Sequence, residues 1–412
     1  MKVAHVNYSY GQRGSSGTEQ TVPATCALLE AEGLATCVLY EQAVGPPPPA
    51  PGRALYHIPG LCSFALRPNR TAIARALAAL ERERVDLVHL HQINNGSLVR
   101  AIAARWPTLY FVHNHVLTCP SGTRFLPRSG RVCPQLGPGL ACVRNAYLEG
   151  CQSRRPGRWV RGLLDCHTAR AFARGLTLAV DSEFMKRTLV AAGYAPERIT
   201  VTPTVVEPTP RPPDYYPAHQ PPRVLYVGQL NPIKGLPRLL AALRQLTTPA
   251  VLHVAGDGYL RPALERQVVA LGLRDRVVFH GHVDRVQLVA LLRECAVLAV
   301  PTCYPEPFGL VGPEAMAQAR PVVAFDIGAI REWLRDGQTG LLARPGDVGD
   351  LAAKLDYLLQ HPAEARRLGQ AGRQVWEERF HPRHHLAALL RLYRTLTARA
   401  EPAPILEAAA CE

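Results

Sequence analysis

Val224-Leu225-Tyr226-Val227-Gly228-Gln229-Leu230-Asn231-Pro232-Ile233-Lys234-Gly235 sets an apolar run against a glycine-bounded polar loop, and a leucine stripe follows at 236, 239, 240, 243 and 246. An uninterrupted apolar run suits a strand covered on both faces, as in a parallel sheet. The stripe repeats every three or four residues, the spacing of a helix buried along one face. Strand, tight loop and helix form the unit of a doubly wound α/β sheet, whose ligands bind at the carboxyl ends of the strands.

The unit recurs in both directions. Strands are predicted at 251–255, 277–279, 297–300 and 322–325, each followed by helical periodicity, and before the opening stretch at 3–7, 36–40, 87–91, 109–113, 177–180 and 199–202. Ile73, Leu77 and Leu80 mark one intervening helix. Between the halves stand Pro203, Pro208, Pro210, Pro212, Pro213, Pro217, Pro221 and Pro222, a density that no sheet interior or helix tolerates. The short run 46–49 of four prolines reads as a surface loop. The predicted architecture is α/β: two doubly wound Rossmann-like domains facing a cleft, 1–205 (with a cysteine-containing insertion over 114–160) and 223–380. A linker over 206–222 joins them. Residues 381–412 supply a C-terminal helix (Leu389, Leu390, Tyr393, Leu396) returning to the first domain, and a tail.

A length of 412 residues fits two such domains, and 47% hydrophobic with 19% charged residues is an ordinary globular balance. The N-terminus enters as a strand without a basic and apolar leader, and no apolar run reaches the roughly 18 residues of a membrane helix. The expectation is a cytoplasmic protein, with attachment to the inner membrane surface left open. Net charge is +14, and residues 100–198 hold fifteen Arg and Lys against five Asp and Glu. That excess reads either as an electropositive face for an anionic acceptor or lipid, or as the bias of a chain with 43 Arg and 4 Lys. No nucleic-acid module accompanies it, so nucleic acid is not an expected partner. Cys119, Cys133, Cys142 and Cys151, among eleven cysteines, are separated by 13, 8 and 8 residues. They lack a close C-x-x-C pair; free thiols are the expectation, with a structural zinc site or disulfides as alternatives.

The chemistry-bearing stretch is Glu306-Pro307-Phe308-Gly309-Leu310-Val311-Gly312-Pro313-Glu314. Gly312-Pro313 reads as cap and first helical residue, with Ala315, Met316 and Ala317 continuing the helix. Bare loop N–H groups and a positive helix end beside two hydroxyl-seeking acids suit a sugar carried on a phosphate. Lys234 can add a point charge to that phosphate, and Gly256-Asp257-Gly258 is a second loop at the same sheet edge. Glu314 also suits an ordinary first helical turn, whereas Glu306, wedged between Pro305 and Pro307, reads as aimed at a ligand. Paired acids also serve glycoside hydrolysis, but those carboxyls oppose one another across the bond instead of sharing a loop. A dehydrogenase is disfavoured, since no G-x-G-x-x-G opens a βαβ unit with a following ribose acid.

Taken in order, the Gly228–Gly235 loop, the Gly256–Gly258 loop, the strand end 279–281, the E-x7-E segment and Asp336-Gly337-Gln338-Thr339-Gly340-Leu341-Leu342 resemble the retaining GT-B glycosyltransferases of family 4. The first half resembles them more loosely, through residues 14–19, through His113-Asn114-His115 with Cys119-Pro120, and through Asp181-Ser182-Glu183-Phe184. The resemblance implies transfer of a sugar from a nucleoside diphosphate sugar, with retention, to a hydroxyl of an acceptor glycan, lipid-linked or small molecule, and with no required cofactor. It implies that Lys234, Gly309 and Leu310 hold the diphosphate, beside Gly228, Gln229, Gly256 and Phe308. Glu314 would hold the ribose and Glu306 the donor sugar; the base would lie by Phe279, His280 and Gly281. His113 would approach from the other domain, and Gly17 and Thr18 would border the acceptor. Three positions depart from the family: Gln229 where arginine is usual, Asn114 where aspartate is usual, and Ala319 where glycine is usual. An arginine–phosphate hydrogen bond is worth about 1.5–3 kcal/mol, so another cation, Arg331, is a candidate replacement. The alternative function is a catalytically weakened sugar-nucleotide-binding or scaffold protein of the same fold.

Overall fold

Strands alternate with helices throughout. In chain order the strands are Lys2–Tyr10 (β1), Ala35–Ala43 (β2), Ala54–His57 (β3), Leu87–His91 (β4), Thr108–Val112 (β5), Phe125–Leu126 (β6), Arg131–Val132 (β7), Thr177–Val180 (β8) and Ile199–Val201 (β9). They continue with Arg223–Val227 (β10), Val251–Ala255 (β11), Val277–Gly281 (β12), Val297–Val300 (β13), Val322–Phe325 (β14) and Gly340–Ala343 (β15). The computed structural model describes residues 1–11, 17–46, 50, 52–62, 68–91, 93–206 and 220–398. Most of the proline run, 207–219, lies outside the described residues, as does the tail beyond 398.

Two parallel sheets result. The first has the order β3-β2-β1-β4-β5-β8-β9 and the second β12-β11-β10-β13-β14-β15. Both reverse direction beside their first strand, between β1 and β4 and between β10 and β13, which opens a crevice at the carboxyl ends there. Strand cores are apolar throughout: Val224, Tyr226, Leu252, Val254, Val297, Val323 and Phe325 are all buried. The leucine stripe forms the helix Leu236–Gln245 and buries Leu236, Leu239, Leu240 and Leu243 against that sheet.

Four strands are not expected from the sequence: the two-residue β6 and β7, and, in the large sheets, β3 and β15. β3 has only partly buried residues and edges its sheet, and β15 begins at a glycine, so neither carries a strong apolar run. The helix after Glu306 also starts earlier than expected. It spans Val311–Ala317 with Leu310 at the cap, so Gly312 is helical and not the cap. Gly312 is instead a packing requirement, since a Cβ there would come 2.2 Å from the Trp333 ring. Pro313 remains in the first turn, where its missing N–H leaves no helical acceptor unmatched.

The helix Pro382–Ala398 packs on the first sheet. Leu389, Leu392 and Tyr393 cluster with Val3, Leu87, Leu109 and Phe111. Polar contacts register it: the Tyr393 hydroxyl and His89 Nδ1 are 2.7 Å apart, and His385 Nε2 and Thr25 Oγ1 3.1 Å apart.

Candidate active site

The carboxyl ends of both sheets converge on one cleft of about 370 Å³. β5 ends at Val112 and delivers His113; β8 ends at Val180 and delivers Asp181; β10 delivers Gly228 and Gln229. β13 ends at Val300 and leads into Thr302, Tyr304, Glu306 and the Phe308–Leu310 turn, all of which line the cleft.

Glu306 is held by four side-chain hydrogen bonds. Its carboxylate accepts from Lys234 Nζ at 3.1 and 2.9 Å, from the Tyr304 hydroxyl at 2.7 Å and from Thr302 Oγ1 at 3.1 Å. It is 6% exposed, so its charge is held by hydrogen bonds in place of water. Its backbone is equally constrained. Ala329 N donates to the Glu306 carbonyl at 2.9 Å, and a Cβ on Gly328 would come 2.4 Å from Glu306 backbone atoms. The flanking prolines are pinned from the first sheet's side: His115 Nε2 donates to the Pro305 carbonyl at 2.7 Å and Ser182 Oγ to the Pro307 carbonyl at 2.5 Å. Glu332 accepts from the amides of Glu183 and Phe184 at 2.9 and 2.6 Å, another contact between the halves. The rigidity expected of Glu306 is therefore supplied from both halves of the chain.

Lys234 ends a short 3-10 turn, Pro232–Lys234, capped by the Asn231 side chain. Gly235 follows with φ +74, and a Cβ there would come 1.8 Å from the Pro301 carbonyl oxygen, so the turn needs glycine to lie against the β13 loop. Among the described residues lining the cleft, Lys234 is the full cation. The Gly309 (φ +87) and Leu310 amides face no acceptor among the described residues. Trp333 Nε1 donates to the Phe308 carbonyl at 2.7 Å and fixes the turn from beneath. Glu314 also lines the cleft and pairs with Arg285, a partner not visible in the sequence. Gln229 lines it too, its Oε1 accepting from Asn231 Nδ2 at 3.2 Å.

His113 stacks on Phe111 with ring centroids 4.4 Å apart, and its Nε2 lies 3.1 Å from His91 Nδ1. His91 Nε2 lies in turn 3.0 Å from His5 Nδ1, so three imidazoles run from the cleft into the first sheet. Burial, with His385 adding a smaller effect, pulls His113 down to about 3, and burial pulls His5 to about 3. His89 and His91 are also lowered, first by burial. These rings are neutral at ordinary pH. Asp181 is the converse: burial, with smaller effects from Glu306 and Glu332, pushes its carboxyl up to about 8. Its Oδ1 is buried without a hydrogen-bond partner, so it borders the cleft as a neutral acid near pH 7.

Some expected residues lie elsewhere. Arg331 bonds Asp326 at 2.7 Å outside the cleft lining, so it does not supply the charge missing at Gln229. Gly256 is a spacer, because a Cβ there would come 2.0 Å from the Gly228 carbonyl oxygen. His280 pairs with His253 at 2.9 Å and lines a neighbouring depression with Val283 and Gln287. Gly17 and Thr18 open the helix Gly17–Ala31; their side chains lie outside the described residues, while Thr21 of that helix reaches the cleft. The sequence reading missed Thr302, Tyr304 and Arg285, and gave Asp181 and Ser182 no role. Tyr304 and Thr302 stand two and four residues before Glu306, an alternation that would have flagged them as same-side partners in an extended loop.

Two parallel doubly wound sheets facing a cleft define the GT-B architecture. The chain belongs to the family 4-type glycosyltransferases: the glycosyl transferases group 1 model matches residues 213–375, and the glycosyl transferase 4-like domain model matches 16–204. An uncharacterized glycosyltransferase of Bacillus subtilis (strain 168), YqgM, is 30% identical over 315 residues, 73% of this chain and 82% of that protein. A glycogen synthase of Mycobacterium tuberculosis (strain CDC 1551 / Oshkosh) is 40% identical over 157 residues, and this chain spans 38% of its length and 37% of its own in that match. Anabaena HepE, solved in complex with UDP and glucose, superposes with a TM-score of 0.69 at 18% identity, over 96% of this chain and 100% of that one. That last likeness is one of fold. Among the described residues no helix is long and apolar enough to cross a membrane.

Proposed function

We propose that this protein transfers a sugar from a nucleoside diphosphate sugar to an acceptor hydroxyl with retention of configuration, in the assembly of a glycan, glycolipid or polysaccharide. The observation that carries this reading is the Glu306–Lys234 pair beside the unpartnered Gly309 and Leu310 amides, facing His113 across the cleft. Lys234 spends its bonds on Glu306 and keeps donor capacity for a phosphate oxygen, since an ammonium has three N–H groups. The two loop amides would take the terminal phosphate, and Glu314 the ribose hydroxyls after exchanging its bond to Arg285. Glu306, already aligned by Tyr304 and Thr302, would accept from a donor-sugar hydroxyl.

In the reaction the bond between the anomeric carbon and the phosphate oxygen breaks, and its electron pair stays on the diphosphate. The acceptor oxygen bonds to the same face of that carbon and passes its proton to the departing phosphate. The protein contributes positioning and stabilisation of the growing negative charge by Lys234 and the amides. Neutral His113 suits a hydrogen bond to the sugar, because a cation there would compete for the phosphate. The basic residues of 100–198 fit peripheral contact with an anionic membrane or acceptor, which salt-dependent vesicle sedimentation tests.

The test is transfer and donor hydrolysis across common sugar nucleotides, with product anomers read by NMR, for wild type and Glu306→Ala. Wild-type turnover that falls by about two powers of ten or more in the variant supports the reading. Equal inertness would favour a second reading, a catalytically weakened sugar-nucleotide-binding protein. Gln229 beside a cleft whose expected substitute, Arg331, is committed to Asp326 motivates that alternative. An inverted product would overturn retention alone.

A further inference from the structure

The segment between Cys119 and Cys151 has little regular structure to hold it: the two-residue pairing of β6 with β7 and one helix, Leu140–Leu148. Its buried apolar residues are few, among them Phe125 and Ala146. A piece of chain this poor in core ordinarily needs a staple. It nevertheless supports the most constrained part of the cleft. Phe125 packs with Cys303 and Tyr304, the residues leading into Glu306, and the Cys119 amide donates to the His115 carbonyl at 2.7 Å, behind the imidazole that holds Pro305.

Cys119, Cys133, Cys142 and Cys151 all line one cavity inside this segment, although 31 residues of chain separate the first from the last. All four are free thiols. The space between them admits little more than one water-sized sphere, room for a single ion. Asn145 Nδ2 points at Cys133 Sγ from 3.8 Å, the geometry of an outer donor to a sulfur. Beside the cavity, Arg124 donates through Nη2 to the Cys133 carbonyl at 3.2 Å, while its Nε is buried without a partner. Among the described residues no carboxylate pairs with it, and the ionisable groups acting on it are Cys119 and Cys133. A half-buried guanidinium without an anion carries an uncompensated desolvation cost.

We propose that Cys119, Cys133, Cys142 and Cys151 form a tetrathiolate site for one zinc ion, which staples this insertion against the Glu306 loop. Each thiol loses its proton to solvent as its Zn–S bond forms, so the loaded site carries a charge of −2. Arg124 then has its counter-charge. Four sulfurs at about 2.3 Å from zinc lie about 3.8 Å from one another. The sulfurs stand wider here: the described side chains whose ligating atoms fall within 4.8 Å of one another are His5, His89 and His91. Loading therefore draws the Cys119, Cys133 and Cys151 loops inward around the helix that carries Cys142. The histidine trio is the weaker candidate: His5 Nε2 and His89 Nε2 have no partner, but both ring nitrogens of His91 are already engaged, by His5 and His113, which leaves two ligands instead of four.

The experiment is metal analysis of the full chain, purified without a metal-affinity tag or chelator, together with thiol counting. The expected result is about one zinc per chain, lost in Cys133→Ser and in Cys142→Ser and retained in Cys295→Ser. Should the variants fail to fold, wild-type protein stripped by acid and chelator is titrated with zinc and with cobalt. Four thiols should become protected from alkylation, and cobalt should give a thiolate charge-transfer band. Protein that holds no zinc and whose four thiols alkylate equally fast with and without added zinc overturns the proposal. So does iron with acid-labile sulfide, or disulfides joining the four residues.

Discussion

Replacing Asp181 with asparagine should remove a pH dependence of stability that the fold builds into the cleft. The folded carboxyl titrates at about 8, because burial penalises the anion and Glu306 and Glu332 add like charge; its ordinary value is 3.8. The folded state therefore binds one more proton than the unfolded chain between those values. Stability from this group is fully present below the unfolded pKa and is lost as pH rises through the folded one. About four units at about 1.36 kcal/mol each set a ceiling of about 5 kcal/mol. Water entering a cleft that Asp181 borders should reduce the observed loss to about 2 kcal/mol, or a few degrees of melting temperature in a chain this long. Thermal unfolding at pH 5.5, 7 and 9 and constant ionic strength measures it. The histidine contribution is common to both proteins, so the stability of Asp181→Asn relative to wild type should grow from pH 5.5 upward and level off above about 8. Donor affinity should follow, because an ionised Asp181 places a further negative charge beside a diphosphate. Parallel pH curves for the two proteins would refute the assignment of Asp181 as a partly buried neutral acid.

Three other outcomes are expected. His5, His89, His91, His113 and His385 are all lowered by burial, three of them to about 3 or 4. Their contribution is present above about 6.5, where the unfolded chain is also neutral, and is lost as pH falls, so unfolding at pH 5.5 should take up several protons. A melting temperature unchanged between pH 7 and 5 would contradict that. Ala319 has φ +53 in the turn where the resemblance expects glycine, so Ala319→Gly should stabilise by about 1 kcal/mol in denaturant unfolding; a loss of stability would count against backbone strain there. Gln229→Arg should tighten nucleoside diphosphate binding by about ten-fold in calorimetry, the worth of one charge-assisted hydrogen bond, and unchanged affinity would place the diphosphate away from this loop.

Much of the fold was legible because parallel strands buried on both faces read as unbroken apolar runs. Leu87–His91, Thr177–Val180, Val251–Ala255, Val297–Val300 and Val322–Phe325 have the predicted bounds. β3 and β15 escaped because an edge strand of partly buried residues and a strand opening with glycine lack that pattern. The early start of the Val311–Ala317 helix escaped for another reason. Gly312-Pro313 has the composition of a helix start, but Gly312 is required by the Trp333 ring twenty-one positions later.

The candidate site divides the same way. Sequence alone determined the loops that reach the carboxyl ends of the strands, because strand order and glycine placement are local: Gly228 to Lys234, Glu306 to Glu314, and His113. Tertiary structure decided what those side chains face. Lys234 reaches Glu306 across 72 positions, His115 and Ser182 clamp Pro305 and Pro307 across more than a hundred, and Arg331 turns away to Asp326. Four cysteines with no recognisable spacing also meet around one small cavity. Charge and burial depend on neighbours brought together by packing, so the neutrality of Asp181 and His113 belongs to the folded chain and not to the order of its residues.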